Sequence, residues 1–191
     1  MGRPRSFDRD AALDKAMRLF WERGYERTSI NDLTRELGIS TPSLYAAFED
    51  KRALFEEAVA RYEASPQSVT TAGNAGTSQR EVLRAMFDCA AREYASTEHP
   101  RGCLVNSEPK LAGNRTQNCT ITAARLREVA ESAEASTGAE ALAAFAQVML
   151  VGLSSYARDG ASEEQLQRVA ELALRVMPTE TKDPERRRPH K

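Results

Sequence analysis

The sequence predicts an all-α protein, in which an N-terminal three-helix head carrying a helix-turn-helix joins a larger helical body. Three observations carry this. Aromatic residues make up only 6% of the chain and alanine is frequent, which favours helices over sheets. Apolar residues recur at helical spacing in one segment after another. Residues 24–51 hold two short helical patterns on either side of a tight turn at Gly38-Ile39-Ser40, the layout of a helix-turn-helix. A chain of 191 residues is long enough to bury a core and to divide into one small and one larger unit.

The first helix runs from Asp8 to about Arg23, with Leu13, Ala16, Met17 and Phe20 as its apolar stripe and Gly24 at its end. Thr28 and Ser29 are N-cap candidates, because their hydroxyls can accept from the first unpaired backbone N–H groups of a helix. Ile30, Leu33 and Leu37 then mark a buried face, and Gly38 takes the C′ position, where a left-handed backbone suits a residue without Cβ. Ile39 plugs the corner. Ser40 caps the next helix, with Pro42 in its first turn, where a missing N–H costs little. Leu44 and Phe48 face inward, which leaves Thr41, Ser43, Tyr45 and Ala47 on the outer side. Asp50 caps a fourth helix on which Leu54, Phe55, Ala58 and Tyr62 repeat.

Residues 65–77 contain Pro66, Gly73 and Gly76 among small polar residues and read as a linker or flexible loop. Ser78 and Glu81 form a capping-box pattern ahead of an amphipathic helix bearing Leu83, Met86, Phe87, Ala90, Ala91 and Tyr94. Residues 98–102 break it. A short helix from Cys103 to about Ala112 follows, then a longer one over 114–135 with Ile121, Ala124, Val129 and Ala133 as its apolar residues. Residues 139–158 are apolar on nearly all sides, which predicts a helix buried between others. A second capping box at Ser162 and Gln165 opens the last helix, with Leu166, Val169, Ala170, Ala173, Val176 and Met177 at helical spacing. From Pro178 the chain is polar and basic, including Arg186-Arg187-Arg188, and is expected to be disordered. The organisation is therefore a head over 1–64, a body over 65–177 and a tail over 178–191.

The formal net charge of −1 excludes a uniformly basic nucleic-acid binder, and even over 1–64 the acidic and basic side chains nearly balance. DNA affinity would have to come from locally placed cations: Arg3, Arg5, Arg27, Lys51 and Arg52. The polar, charged N-terminus shows no signal peptide. The longest apolar run, 141–153, is interrupted by Gln147 and too short to span a bilayer, so the expected location is the cytoplasm. Three widely spaced cysteines suggest neither a disulfide framework nor a zinc site. Two histidines, with no paired acids, nucleophile–base pair or phosphate-cradling loop, give no basis for an enzyme, a metal or a cofactor. His99 reads as a solvated loop residue.

From about Gly2 to Tyr62 the sequence resembles the DNA-binding domain of the TetR/AcrR family of bacterial transcriptional regulators. The resemblance rests on Gly2-Arg3-Pro4-Arg5, the helix end from Phe20 to Tyr25, Thr28-Ser29-Ile30, and Leu44-Tyr45-Ala46-Ala47-Phe48 through Leu54-Phe55. Beyond about Ser65 it is limited to size and helical character. It implies a homodimer that binds a palindromic double-stranded DNA operator and represses transcription until a signal reshapes the body. Thr41, Pro42, Ser43 and Tyr45 would then meet bases or backbone, Lys51, Thr28 and Ser29 would lie at phosphates, and the Arg3 and Arg5 arm would reach the minor groove. The last two helices would form the dimer interface through Phe145, Met149, Leu166, Val169 and Ala173.

The family's usual inducer cavity among the middle helices makes Phe87, Tyr94, Met149 and Tyr156 candidates for ligand contact. Cys103 is a further candidate, for modification by an oxidant or electrophile, since a similar Gly-Cys-Leu segment occurs in many relatives. A helix N-terminus and the neighbouring Arg101 would favour its thiolate. Against this stands its reading as a small apolar residue packed beneath a helix. Cys89 and Cys119 are possible resolving partners. The alternatives are an activator or corepressor-dependent repressor, and, from another class, a helical small-molecule-binding or interaction protein that reads no specific DNA.

Overall fold

The computed structural model describes residues 7–65, 68–131 and 138–177, and among these there is no β-strand. The head consists of α1 (Arg9–Arg23), α2 (Ile30–Leu37), α3 (Thr41–Phe48) and α4 (Lys51–Glu63), and every one of these helices begins at a side-chain cap. Asp8 accepts from the N–H groups of Asp10 and Ala11, and Asp50 accepts from that of Ala53 at 2.7 Å. Four backbone donors left over at each helix start are in this way partly satisfied by short polar side chains placed in the sequence for that purpose.

The head closes around Phe20, Leu33, Leu44, Phe48 and Leu54, all essentially inaccessible to solvent. Each such side chain contributes about 1.5–3 kcal/mol by leaving water. The Phe55 ring meets Phe20 edge-on at 5.1 Å and Tyr25 at 4.8 Å. Arg9 fastens α1 across the bundle: its guanidinium lies over the Phe48 ring, pairs with Glu57 at 2.7 Å and donates to the Ala47 carbonyl.

The body follows with α5 (Val69–Ala72), α6 (Gln79–Ala95), α7 (Leu104–Ser107), α8 (Ala112–Glu128), α9 (Ala139–Arg158) and α10 (Glu163–Arg175), with single 3₁₀ turns at Gly73–Ala75 and Pro109–Leu111. α6 is central; α9 and α10 pack on it, and α8 packs on α9. Its Val82, Leu83, Met86, Phe87, Ala90 and Tyr94 are buried, as the helical spacing requires. Ser78 accepts from the Glu81 N–H, but the Glu81 carboxylate accepts from Thr77 instead of closing a capping box.

Several expectations are corrected. Within 65–77 the chain is helical over most of 69–75, with Gly73 buried against the Met86 side chain, so most of the expected flexible linker is a packed turn of helix. Cys103 is the N-cap of a four-residue helix, and the single short helix expected to reach Ala112 is split by Glu108 and Pro109. On α8 the buried face is Thr122, Ala123 and Leu126, with Ile121 and Ala124 facing out; Thr122 can be buried because its hydroxyl donates to the Asn118 carbonyl. α9 is buried along one side only: Ala143, Ala146, Leu150 and Leu153 face the core, but Val148 is 69% exposed and Val151 and Tyr156 lie on the surface. On α10, which packs on α6, Leu166 and Ala173 are buried within the same chain, and the exposed apolar residues are Leu172 and, just past the helix end, Val176. The N-terminal arm with Arg3 and Arg5, the end of the predicted helix with Ala133, and the basic tail lie outside the described residues.

Candidate DNA-reading surface

The turn between α2 and α3 is built from local chemistry. Ser29 and Asp32 close a reciprocal capping box, each side chain accepting from the other's backbone N–H at 3.0–3.1 Å. The Ser29 hydrogen bonds, helped by Arg35 and Arg23, hold the Asp32 carboxyl below the usual aspartate range. Gly38 adopts φ 67° and ψ 31°, a left-handed conformation that glycine takes freely and that residues with a Cβ rarely adopt. Ile39 is half-buried against the core, and Ser40 accepts from the Ser43 N–H while its hydroxyl meets that of Ser43 at 2.9 Å.

These constraints decide which face of α3 points outward. Pro42, Tyr45 and Ala46 are exposed, Thr41 and Ser43 are partly so, and Leu44 and Phe48 are buried. Ala47, expected on the outer side, is buried beneath Arg9; Ala46 takes its place outside. Thr28 is corrected as well: it is fully buried and its hydroxyl donates to the Gly24 carbonyl at 2.8 Å, so it shapes the approach to α2 and presents no hydroxyl to a phosphate. Ser29 remains exposed at the head of α2.

Lys51 sits in the first turn of α4 with its ammonium 4.1 Å from the Tyr25 ring centroid. Lys110, from the body, reaches the same ring at 5.0 Å and pairs with Glu26 at 2.8 Å. Buried Glu108 accepts from the Tyr25 N–H at 2.8 Å and from the Lys110 N–H. The body thus grips the head at the end of α1, through residues with no signature in the sequence, since Glu108 looks like any other acid before a proline. Of the other head cations, Arg27 donates to the Arg23 carbonyl and Arg52 pairs with Glu56 on the surface.

The ligand candidates are not brought together. Phe87 is sealed in the core, Tyr156 is 42% exposed, and Met149 is half-buried against the core. Tyr94 alone among them lines a cavity of about 430 Å³, together with Trp21, Tyr62 and His99. His99 is not a solvated loop residue, because its ring stacks on Trp21 at 4.5 Å. Cys103 is buried, and burial pushes its thiol above the ordinary range, against the Tyr62 hydroxyl, which donates to its sulfur at 3.2 Å. The expected activation fails for two reasons: the helix it opens has one turn only, and Arg101 is engaged by the carbonyls of Ala157 and Ala161. Burial likewise raises the thiol of Cys89. Among the described residues, no group of acidic, cysteine and histidine side chains could hold a metal.

The capped tri-helical head with its exposed α3 face defines a helix-turn-helix regulator. A family profile described as bacterial regulatory proteins of the tetR family matches residues 12–58. The HTH-type transcriptional repressor ComR of Escherichia coli is 33% identical over 93% of this chain and 92% of its own length, and the repressor BdcR of the same organism is 32% identical over 93% of each. The chain belongs to the TetR family of transcriptional regulators. Its structure is similar to that of a cysteine mutant of the TetR family transcriptional regulator CifR complexed with 26-base-pair double-strand operator DNA, with a TM-score of 0.82 and 36% identity over 92% of this chain and all of CifR.

Proposed function

We propose that this protein is a homodimeric repressor acting in the cytoplasm, with a reading head over 1–64 and a signal-receiving, dimerising body over 65–177. The observation that carries this is the outward face of α3, Thr41, Pro42, Ser43 and Tyr45, set by a capped turn in a fold that matches one solved on operator DNA. Ala46 joins that face. Side chains this small let the helix backbone approach base edges, and Tyr45 supplies one large contact. Lys51 and the exposed Ser29 flank it at two helix N-termini, where a phosphate is favoured by free N–H groups and by the helix dipole. The names of the relatives ComR and BdcR support repression over activation.

Two copies would meet through the outward side of α9 and α10, with Val148, Tyr156, Leu172 and Val176 exposed and Phe145, Met149 and Val169 half-buried beside them. Such a two-fold pairing suits a palindromic operator. Release follows when a small molecule shifts the body against the head, so that DNA and signal bind with opposed preference. Modification of Cys103 is the second reading, favoured by its hydrogen bond to Tyr62 of α4, through which a change at sulfur would reach the head.

A gel shift with the DNA upstream of the protein's own gene tests the reading. Binding is expected, and Lys51→Ala should weaken it on all sequences and lower the salt slope by roughly one unit. An unchanged slope would remove Lys51 from the phosphate contact, and failure to bind any candidate operator would favour the non-DNA alternative.

A further inference from the structure

The C-terminal end of α1 is completed by the body. Among its last carbonyls, that of Phe20 accepts from the Gly24 N–H and that of Arg23 from the Arg27 guanidinium, both at 2.8 Å and both within the head. The two between them are held by Arg158, the last residue of α9, which donates to the Trp21 carbonyl at 3.2 Å and to the Glu22 carbonyl at 3.3 Å. The Tyr25 N–H, just past the helix, goes to the buried Glu108 at 2.8 Å. A helix end leaves its final carbonyls without partners of its own, and a cation placed there also meets the negative end of the helix dipole.

Arg158 is itself held in place. Gly102 adopts φ 78°, and a Cβ on it would stand 2.8 Å from Arg158 Cγ, so this glycine leaves the room that the arginine stem fills. The neighbouring Arg101 donates to the carbonyls of Ala157 and Ala161 and closes the end of α9. α9 is also the helix whose outward side carries Val148 and Tyr156. Val148 and Arg158 are about 15 Å apart along that one continuous helix.

We propose that Arg158 and Glu108 are positioning residues that fix the distance between the two reading heads, and so set the half-site spacing that the protein accepts. The proposal rests on the homodimeric repressor reading above and adds to it what makes one operator geometry preferred. Both residues act through α1 and not on DNA. Arg158 ties α1 to the helix that bears the two-fold contact, and Glu108 ties the connection after α1 to the turn after α7. With both in place, each head is a rigid extension of the dimer. With one removed, the head can swing. One added base pair moves a half-site by about 3.4 Å and turns it by roughly 35°, which a fixed head cannot follow.

The probe is the palindrome that the full-length protein selects from a library of random duplexes. It is compared with the same half-sites one base pair closer, one base pair farther apart, and with a duplex holding one half-site. The parent should favour the selected spacing by roughly tenfold or more, about the cost of one mismatched base pair. Arg158 lies at the surface, so Arg158→Met, which keeps the alkyl stem and loses the donors, should fold and remain a dimer in sedimentation. Its spacing preference should narrow to about threefold or less, with single-half-site binding within about twofold of the parent. Arg158→Lys should recover part of the preference, since an ammonium can hold one carbonyl but lacks the planar fork. Glu108→Ala should narrow the preference in the same direction, and if circular dichroism shows that this buried site does not tolerate the change, the Arg158 pair decides. A preference unchanged in the variants, or an equal loss on all four duplexes, overturns the proposal. A parent that binds with no spacing preference removes this role alone, and a parent that selects no sequence removes the repressor reading and this role together.

Discussion

Cys103 illustrates how a side chain's chemistry is set by what surrounds it. Its backbone N–H donates to the Ser154 hydroxyl at 2.9 Å, its sulfur accepts from Tyr62, and burial holds the thiol in its neutral form. Thiolate is the reactive species, so the folded protein should protect this cysteine. Iodoacetamide at pH 8 should label Cys103 at least about a hundredfold more slowly in the native protein than in urea, as followed by timed peptide mapping; the shift in thiol ionisation and the loss of access act in the same direction. Labelling at comparable rates in the two states would restore an activated, accessible thiol. Sensing at this residue would therefore require an opening of the Tyr62 contact first.

The element that sets the reading surface is α2–turn–α3, and its parts have separable costs. At Gly38 the left-handed backbone is the whole difficulty, because an added Cβ would meet nothing within 4 Å. Gly38→Ala should accordingly lower stability by only about 1 kcal/mol, measured by urea unfolding, with operator binding largely kept. A loss several times larger would show that the turn needs glycine for reasons of space. The capping box behaves differently with pH. Asp32 titrates below its unfolded value in the folded chain, so its contribution is complete above the ordinary aspartate range and is lost as pH falls through the folded value. Ser29→Ala removes the first cause of that depression, and the variant's melting temperature should fall less steeply under acid than that of the parent. Equal acid sensitivity in both would place the depression elsewhere.

For the molecule as a whole, the distinction between α9 and α10 residues that face the core and those that face outward predicts two classes of charge substitution. Val148→Glu together with Leu172→Glu puts charge on side chains 69% and 59% exposed in the single chain. It should yield a monomer in sedimentation with the helical circular dichroism retained, and with operator affinity lost because half-sites are no longer bridged. Leu166→Glu, at a site with no exposure, should instead unfold the body. A dimer persisting in the double variant would move the interface off this face.

The amino-acid sequence determined the features whose chemistry is local. Helix starts at Asp8, Ser29, Ser40, Asp50, Ser78 and Ser162 are made by side chains bonding to N–H groups within three residues, so they were legible from residue type and spacing, as was the glycine turn at Gly38. The family resemblance of the head rested on the same short-range pattern. Tertiary structure alone decided how each helix is rotated and what it meets. Periodicity marks an apolar stripe but cannot say whether the partner is the same chain or a second copy, which is why Leu166 and Ala173 were placed at an interface when they belong to the core. Alanine carries too little hydrophobic signal to orient a helix, so Ala47, expected outside, is buried, and the neighbouring Ala46 lies on the surface. The grip of Glu108 on Tyr25 and the cavity that gathers Trp21, Tyr62 and His99 join residues tens of positions apart. Contacts of that kind leave no spacing in the sequence, because the packing of whole helices brings them together.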